Sequence, residues 1–239
     1  MNYDLDRMPP SWDDRMSQQA ANVAAPGEPH LACVLLLDTS GSMRGPAIQS
    51  LNEGVARFIR DLQRDEMAKK RLDLAIVEFN DAIWLLQDFL PIGQSTPPNL
   101  VARGTTAMGA AVEAAVGMVK ERNKLYNSIG VPAHKPWIFM ITDGLPTDDI
   151  ENAVRLVQEE ERRGSHGRLK FHSLAVDQAD VNILRRFSER ILCLRGRDFT
   201  SIFDWLAKSM AYISQSQIGD NPPWQKLPDD IGMPQWWDK

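Results

Sequence analysis

The stretch Leu31-Ala-Cys-Val-Leu-Leu-Leu-Asp-Thr-Ser-Gly-Ser-Met-Arg-Gly45 decides how the chain folds. Leu31 to Leu37 is an unbroken apolar run, with no polar position to face water. Such a run reads as a β-strand covered on both faces, which belongs to a parallel sheet with helices on either side. The run ends on a carboxylate, Asp38, followed at once by a Gly/Ser turn. In an open α/β sheet the carboxyl ends of the strands are where ligands bind. The stretch therefore carries both a fold signal and a candidate site.

The residues on either side agree with it. Pro46 to Arg64 has one apolar stripe at helical spacing, Ile48, Leu51, Val55, Phe58, Ile59 and Leu62, with Pro46 suited to the first turn. LDLAIVEF (72–79) reads as a second strand and IWLLQDF (83–89) as a third. Only Asn80, Asp81 and Ala82 separate them, too short a link for a parallel crossover, so the pair is an antiparallel hairpin. Further along, Ala107 to Lys124 is helical, 137–142 a strand, Asp148 to Arg163 a helix and 169–176 a strand. Val181 to Glu189 is a short helix, 191–194 a strand and Asp198 to Gln215 the last helix. This alternation predicts an α/β fold: a doubly wound, mainly parallel sheet with one antiparallel edge strand, 83–89, and helices on both faces. EMAKKR (66–71) reads as a solvated helix end.

The organisation is an irregular arm over 1–29, a patterned domain over 30–216 and a Pro/Trp-rich segment over 217–239. The last holds Trp224, Trp236 and Trp237 among four prolines, which forbid a continuous helix. Its tryptophans either fold back on the domain or dock on a partner.

Composition narrows the function. Of the 239 residues, 43% are hydrophobic and 25% charged, which excludes a disordered, collagenous or disulfide-scaffold chain. The net charge of −5 offers no basic surplus for nucleic acid or an anionic membrane. Cys33 and Cys193, far apart in strand-like runs, are expected as reduced thiols. The first 30 residues contain no apolar core of a secretory signal, and no run reaches the ~20 residues needed to span a bilayer. A soluble cytoplasmic protein is the expectation.

Three polar clusters fall at strand ends or helix starts: Asp38-x-Ser40-x-Ser42, Arg103-Gly-Thr-Thr-Ala-Met-Gly109 and Ile141-Thr-Asp-Gly-Leu-Pro-Thr-Asp148. A doubly wound sheet brings all three to one edge, assembling two carboxylates and three hydroxyls. The set is all oxygen, which selects Mg²⁺, Mn²⁺ or Ca²⁺ over zinc. Two carboxylates leave a divalent ion near neutral and able to accept one more anionic oxygen. Such an open site would take an Asp or Glu from a partner protein, or would activate water for phosphoester hydrolysis. Hydrolysis wants a nearby general base, and no histidine follows any of the clusters. Taken alone, Asp-x-Ser-x-Ser also serves as an ordinary turn and helix cap.

Together the clusters resemble the von Willebrand factor A domain and its metal-ion-dependent adhesion site. Asp38-Thr-Ser-Gly-Ser42 is similar to the family's first motif. Gly104-Thr105-Thr106-Ala-Met-Gly109 is similar to its Gly-Gly-Thr-x-x-Gly segment, with Thr105 in place of the second glycine, and Ile141-Thr-Asp143-Gly is similar to the third. The resemblance implies a six-stranded sheet and a metal held by Asp38, Ser40, Ser42, Thr106 and Asp143, with Thr105 as the fallback for Thr106. It implies a non-catalytic module whose bound ion, Mg²⁺ by expectation, meets a partner's carboxylate. The compact Asp38-to-Gly45 opening further resembles the intracellular bacterial branch that includes TerY-like proteins of stress-response and tellurium-resistance operons.

Other residues carry weaker signals. Thr142 either orients a metal carboxylate or is a packed strand-end hydroxyl. Asp148 and Asp149 are expected to cap a helix, and Arg44 and Arg103 to be solvated. His30, His134 and His166 read as loop residues and His172 as a strand residue, none with assigned chemistry. Gly-x-Gly-x-x-Gly after the first strand, the P-loop and Gly-x-Ser-x-Gly are absent. Ser40 stands where an aspartyl-phosphate phosphatase would want its second aspartate.

Overall fold

The computed structural model describes residues 17, 20–162, 168–176, 179–194, 198–218, 226–228 and 231–232. Its strands are β1 (Leu31–Asp38), β2 (Leu72–Phe79), β3 (Ile83–Pro91), β4 (Trp137–Thr142), β5 (Lys170–Val176), β6 (Ile191–Leu194) and β7 (Ile231–Gly232). The helices are α1 (Pro46–Leu62), α2 (Glu66–Arg71), α3 (Met108–Ser128), α4 (Glu151–Arg162), α5 (Val181–Phe187) and α6 (Thr200–Gln215). They build one sheet in the order β3-β2-β1-β4-β5-β6-β7.

β1 runs up the middle, parallel to β2 on one side and to β4 on the other. Its side chains alternate between two cores, as a period of two requires. Leu31, Cys33, Leu35 and Leu37 enter the core shared with α1 and α6, and Ala32, Val34 and Leu36 enter the one shared with α3 and α4. Burial on both faces is why this strand carries no polar residue before Asp38. On the first face α1 and α6 approach closely because Gly54 has no side chain. A Cβ there would sit 2.4 Å from Phe203 Cδ2.

The sheet has seven strands, not the six that the resemblance implied. β3 is antiparallel to β2, as the short hairpin link requires, and β7 adds a second antiparallel edge by pairing Ile231 with Leu194. A strand of two residues between prolines leaves no periodic pattern to read. Leu227 also packs against the core, so these described parts of the C-terminal segment lie on the domain. Trp224, Trp236 and Trp237 lie outside the described residues, as do residues 1–16 of the arm and His166. The 66–71 stretch is a separate helix rather than a solvated helix end. Asp65 caps it by accepting from Met67 N and Ala68 N, and Arg71 ties it to Glu28 and to Ser214 O. Cys33 is buried, Cys193 is half-buried, and neither forms a disulfide.

The amino edge of the sheet holds a buried polar network. Asp73 Oδ2 accepts from His30 Nδ1 (2.9 Å) and from the Tyr126 hydroxyl, and pairs with Arg122 (3.1 Å). Burial alone would raise this carboxyl, but the His30 hydrogen bond and the Arg122 charge hold it below the usual carboxylate range. The network bolts α3 to β1 and β2. No helix among the described residues is long and apolar enough to cross a membrane.

Candidate functional site

β1 lies between β2 and β4, so connections leave its carboxyl end to opposite sides, and that topology opens a crevice there. The chain turns directly after Asp38. Thr39 N donates to Phe79 O (2.9 Å), Ser40 N donates to Asp38 Oδ1 (2.8 Å), and Gly41–Met43 forms a 3-10 turn.

Two other loops are stitched to this one through their backbones. Arg103 N donates to Thr39 O (2.7 Å), and Gly41 N donates to Gly104 O (3.1 Å). Thr147 N donates to Thr106 O (2.9 Å), and Thr106 N to Thr147 Oγ1 (3.1 Å). Gly104 has φ +68°, and a Cβ there would fall 2.2 Å from Asp81 Oδ1. The position needs glycine on both counts. Thr105, the departure from the family pattern, has no such backbone demand and its side chain is exposed.

The sequence-predicted residues come together. Ser40 Oγ lies 3.0 Å from Ser42 Oγ, and Ser42 Oγ donates to Asp143 Oδ1 (2.6 Å). Thr142 Oγ1 donates to Asp38 Oδ2 (2.5 Å). Thr106 is buried beside them. A Cβ on Gly144 would lie 3.0 Å from Thr106 Oγ1 and 3.5 Å from Asp38 Oδ2. Thr106 rather than Thr105 faces the cluster. Asp38, Ser40 and Thr106 form a buried floor, while Ser42 is exposed and Asp143 half-exposed at the mouth.

Electrostatics sharpen the picture. Burial pushes the Asp38 carboxyl up to about 6, hydrogen bonds from Thr142 and Ser40 pull against that, and the neighbouring Asp143 charge adds to the rise. A cation between the two carboxylates would remove the conflict. Among the described residues no three His, Cys, Asp or Glu side chains group as a metal cluster. The set here is instead two carboxylates and three hydroxyls, donors that suit a hard divalent ion keeping some of its water.

Several supporting residues escaped the sequence reading. Thr39 Oγ1 donates to Glu78 Oε1 (2.8 Å), Asn80 Nδ2 donates to Thr39 Oγ1 (3.1 Å), and Ala107 N donates to Asn80 O. These contacts fix the first loop against β2 and the start of α3. Asp148 does cap a helix, but not the one that follows it. Its oxygens accept from Gly109 N (3.0 Å) and Ala110 N (2.9 Å) of α3, and Asp149 accepts from Glu151 N to cap α4. Thr142, one of the two readings left open for it, orients Asp38. Arg44 is exposed, and Arg103 leans over the Trp84 ring at 5.8 Å. His30 and His172 are buried, one bonded to Asp73 and the other against Trp137.

Known proteins share this fold. The family model described as von Willebrand factor type A domain matches residues 33–202. Solved structures share the fold. A von Willebrand factor type A protein from Catenulispora acidiphila superposes with TM-score 0.56 at 15% identity, covering 77% of this chain and 43% of that one. The vWF domain of the type V pili tip protein Mfa5 from Porphyromonas gingivalis gives TM-score 0.58 at 13% identity over 80% of this chain and 98% of that one. The pilus adhesin SpaC from Lactobacillus rhamnosus GG gives 0.60 at 13%, over 80% and 31%. The chain thus spans less than half the length of the Catenulispora and Lactobacillus proteins, and at these identities the likeness speaks to the fold alone. No curated protein sequence matches. With the family model covering most of the chain, this protein belongs to the von Willebrand factor type A domain family.

Proposed function

We propose that the chain is a metal-dependent protein-binding module. Domains of this family are often interaction or adhesion modules, and two of the structural neighbours, Mfa5 and SpaC, are pilus proteins. The observation that carries the reading is the continuous oxygen set Asp38–Ser40–Ser42–Asp143, with Thr106 beside Asp38, drawn from three separate loops. Asp38, Ser40, Ser42, Thr106 and Asp143 would hold the ion, Mg²⁺ first and Mn²⁺ or Ca²⁺ as alternatives. When bound, it supplies a positive, oxygen-seeking docking point for the Asp or Glu carboxylate of a partner protein. Thr142 keeps the Asp38 carboxylate in one rotamer, and the backbone bonds among the loops hold the hydroxyls in place without ion or partner. Ser42 and Asp143, at the open mouth, are the residues a partner would meet.

A binding role without catalysis is supported by the surroundings. The described histidines lie away from the site: His30 is bonded to Asp73 at the amino edge, His134 lines the loop that enters β4, and His172 packs against Trp137. The compact Asp38-to-Gly45 opening, similar to the TerY-like branch, favours an intracellular bacterial stress-response or defence complex, tellurite resistance among them. The test is capture of partner proteins by the tagged chain with Mg²⁺ and with chelator, alongside Asp38→Ala. Expected is a prey retained only with Mg²⁺, lost in the variant, and lost again when one of its own acidic residues is changed to amide. Prey that binds equally with chelator and to Asp38→Ala would overturn the reading.

A further inference from the structure

At the opposite edge of the sheet, where the chain enters β4 and β5, a cavity of about 680 Å³ opens between the second half of α3 and the 131–136 loop. That volume lies within the roughly 300–1,000 Å³ of small-molecule sites. It is a strand length from the loops described above, about 20 Å for six residues. Its lining is largely apolar but carries four cations, Lys120, Lys124, Lys135 and Arg168, with Glu160 as its one acid among the described residues. Glu160 is buried and pairs with Lys120 Nζ at 3.1 Å. Lys124, Lys135 and Arg168 have no ion-pair partner among the described residues. Val131 and Leu169 supply an apolar wall beside the charges.

We propose that this cavity binds an organic phosphate, a nucleoside diphosphate in size and charge, through Lys124, Lys135 and Arg168, with Lys120 held at the rim by Glu160. Three cations around one concavity, without an ion-pair partner among the described residues, suit a ligand of more than one negative charge, and a terminal phosphoryl group brings about −2 with several acceptor oxygens. A bare phosphate would leave most of the volume and the apolar wall unused. The crowding of positive charge is already felt within the protein. Burial and then the Arg190 charge hold Lys135 below the ordinary lysine range, and burial, Arg190 and Lys135 do the same to Lys170. On a chain of net charge −5 this is a local reversal of sign, which concentrates anions at the cavity mouth.

The probe is ADP, titrated calorimetrically into the full chain at physiological salt with EDTA present, so that divalent ions at the other edge contribute nothing. Saturable binding is expected, with Kd below about 1 mM. Lys124→Glu and Lys135→Glu should each weaken it by about tenfold or more. Lys124→Gln should weaken it less, and it guards against a folding defect in the charge reversals. Lys208→Glu makes the same change of net charge at an exposed position of α6 and should leave the affinity unchanged. Absence of saturable ADP binding would overturn the proposal. So would binding that survives Lys124→Glu and Lys135→Glu, or that falls equally in Lys208→Glu.

Discussion

Asp38→Asn should make the metal-free protein more stable while destroying its candidate site. Asp38 is fully buried, with Oδ1 accepting from Ser40 N and Oδ2 from Thr142 Oγ1. Its carboxyl is pushed from 3.8 up to about 6, by burial first and by Asp143 in addition. A pKa raised by folding means that the folded state holds a proton the unfolded chain has released. Stability from this group is therefore complete below 3.8 and is lost as pH rises through about 6. Two units of displacement correspond to about 3 kcal/mol at neutral pH. Asparagine keeps the shape and the acceptor for Ser40 N, and its amide can donate to Thr142 Oγ1 once that hydroxyl turns. In chelator at pH 7.5 the variant should gain up to about 3 kcal/mol, on the order of 6–12 °C in Tm for a chain of this size. The gain should shrink through pH 6 and vanish by about pH 4. Saturating Mg²⁺ should stabilise the wild type and not the variant. Urea and thermal melts followed by circular dichroism across this range are the assay. A variant less stable than wild type in chelator at pH 7.5, or a gain as large at pH 4, would refute the assignment of strain to this carboxylate.

Other substitutions probe the supports. Gly109→Ala places a Cβ 2.2 Å from Asp149 O, so the segment that caps α3 must move. We expect a loss of about 1–3 kcal/mol and weaker Mg²⁺ binding, read by melts and calorimetry. Gly54→Ala should destabilise by a similar amount through Phe203, despite the better helix propensity of alanine, and urea denaturation gives the sign directly. Asp73→Ala leaves Arg122 and His30 buried without their carboxylate and should cost about 3–5 kcal/mol with Mg²⁺ affinity unchanged. His172 is held well below 6.5 by burial, with Arg190 and Lys170 adding to it. The unfolded chain takes up a proton below that pH and the folded one does not, so stability falls on acidification. In an Asp38→Asn background, which removes the opposing slope, His172→Phe should flatten the fall between about pH 6.5 and 5.

The parallel sheet was legible because β1 must be apolar on both faces, and the β2–β3 hairpin because three residues cannot carry a crossover. The candidate site was legible for a related reason. Its residues follow strands or precede a helix, so their segments are local even though their meeting is not. What stayed hidden depends on distant partners. Asp73 looks like any residue of LDLAIVEF until His30, Arg122 and Tyr126 arrive from other elements. Asp148 stands one turn ahead of α4, and only the fold shows that it caps α3. β7 is hidden by brevity, and α2 by a charged composition that gives no sign of Asp65 as its cap. The basic cavity gathers Lys120 and Lys124 from one helix with Lys135 and Arg168 from two loops, a pattern with no period.

Oxygens from three loops are proposed to hold one divalent ion jointly. Calorimetric titration of Mg²⁺ into the wild type, Asp38→Ala, Thr106→Ala and Asp143→Ala tests it most directly. One saturable site is expected in the wild type, abolished in both aspartate variants and weakened in Thr106→Ala. Affinity equal in all four proteins, or no binding by any of them, would contradict it.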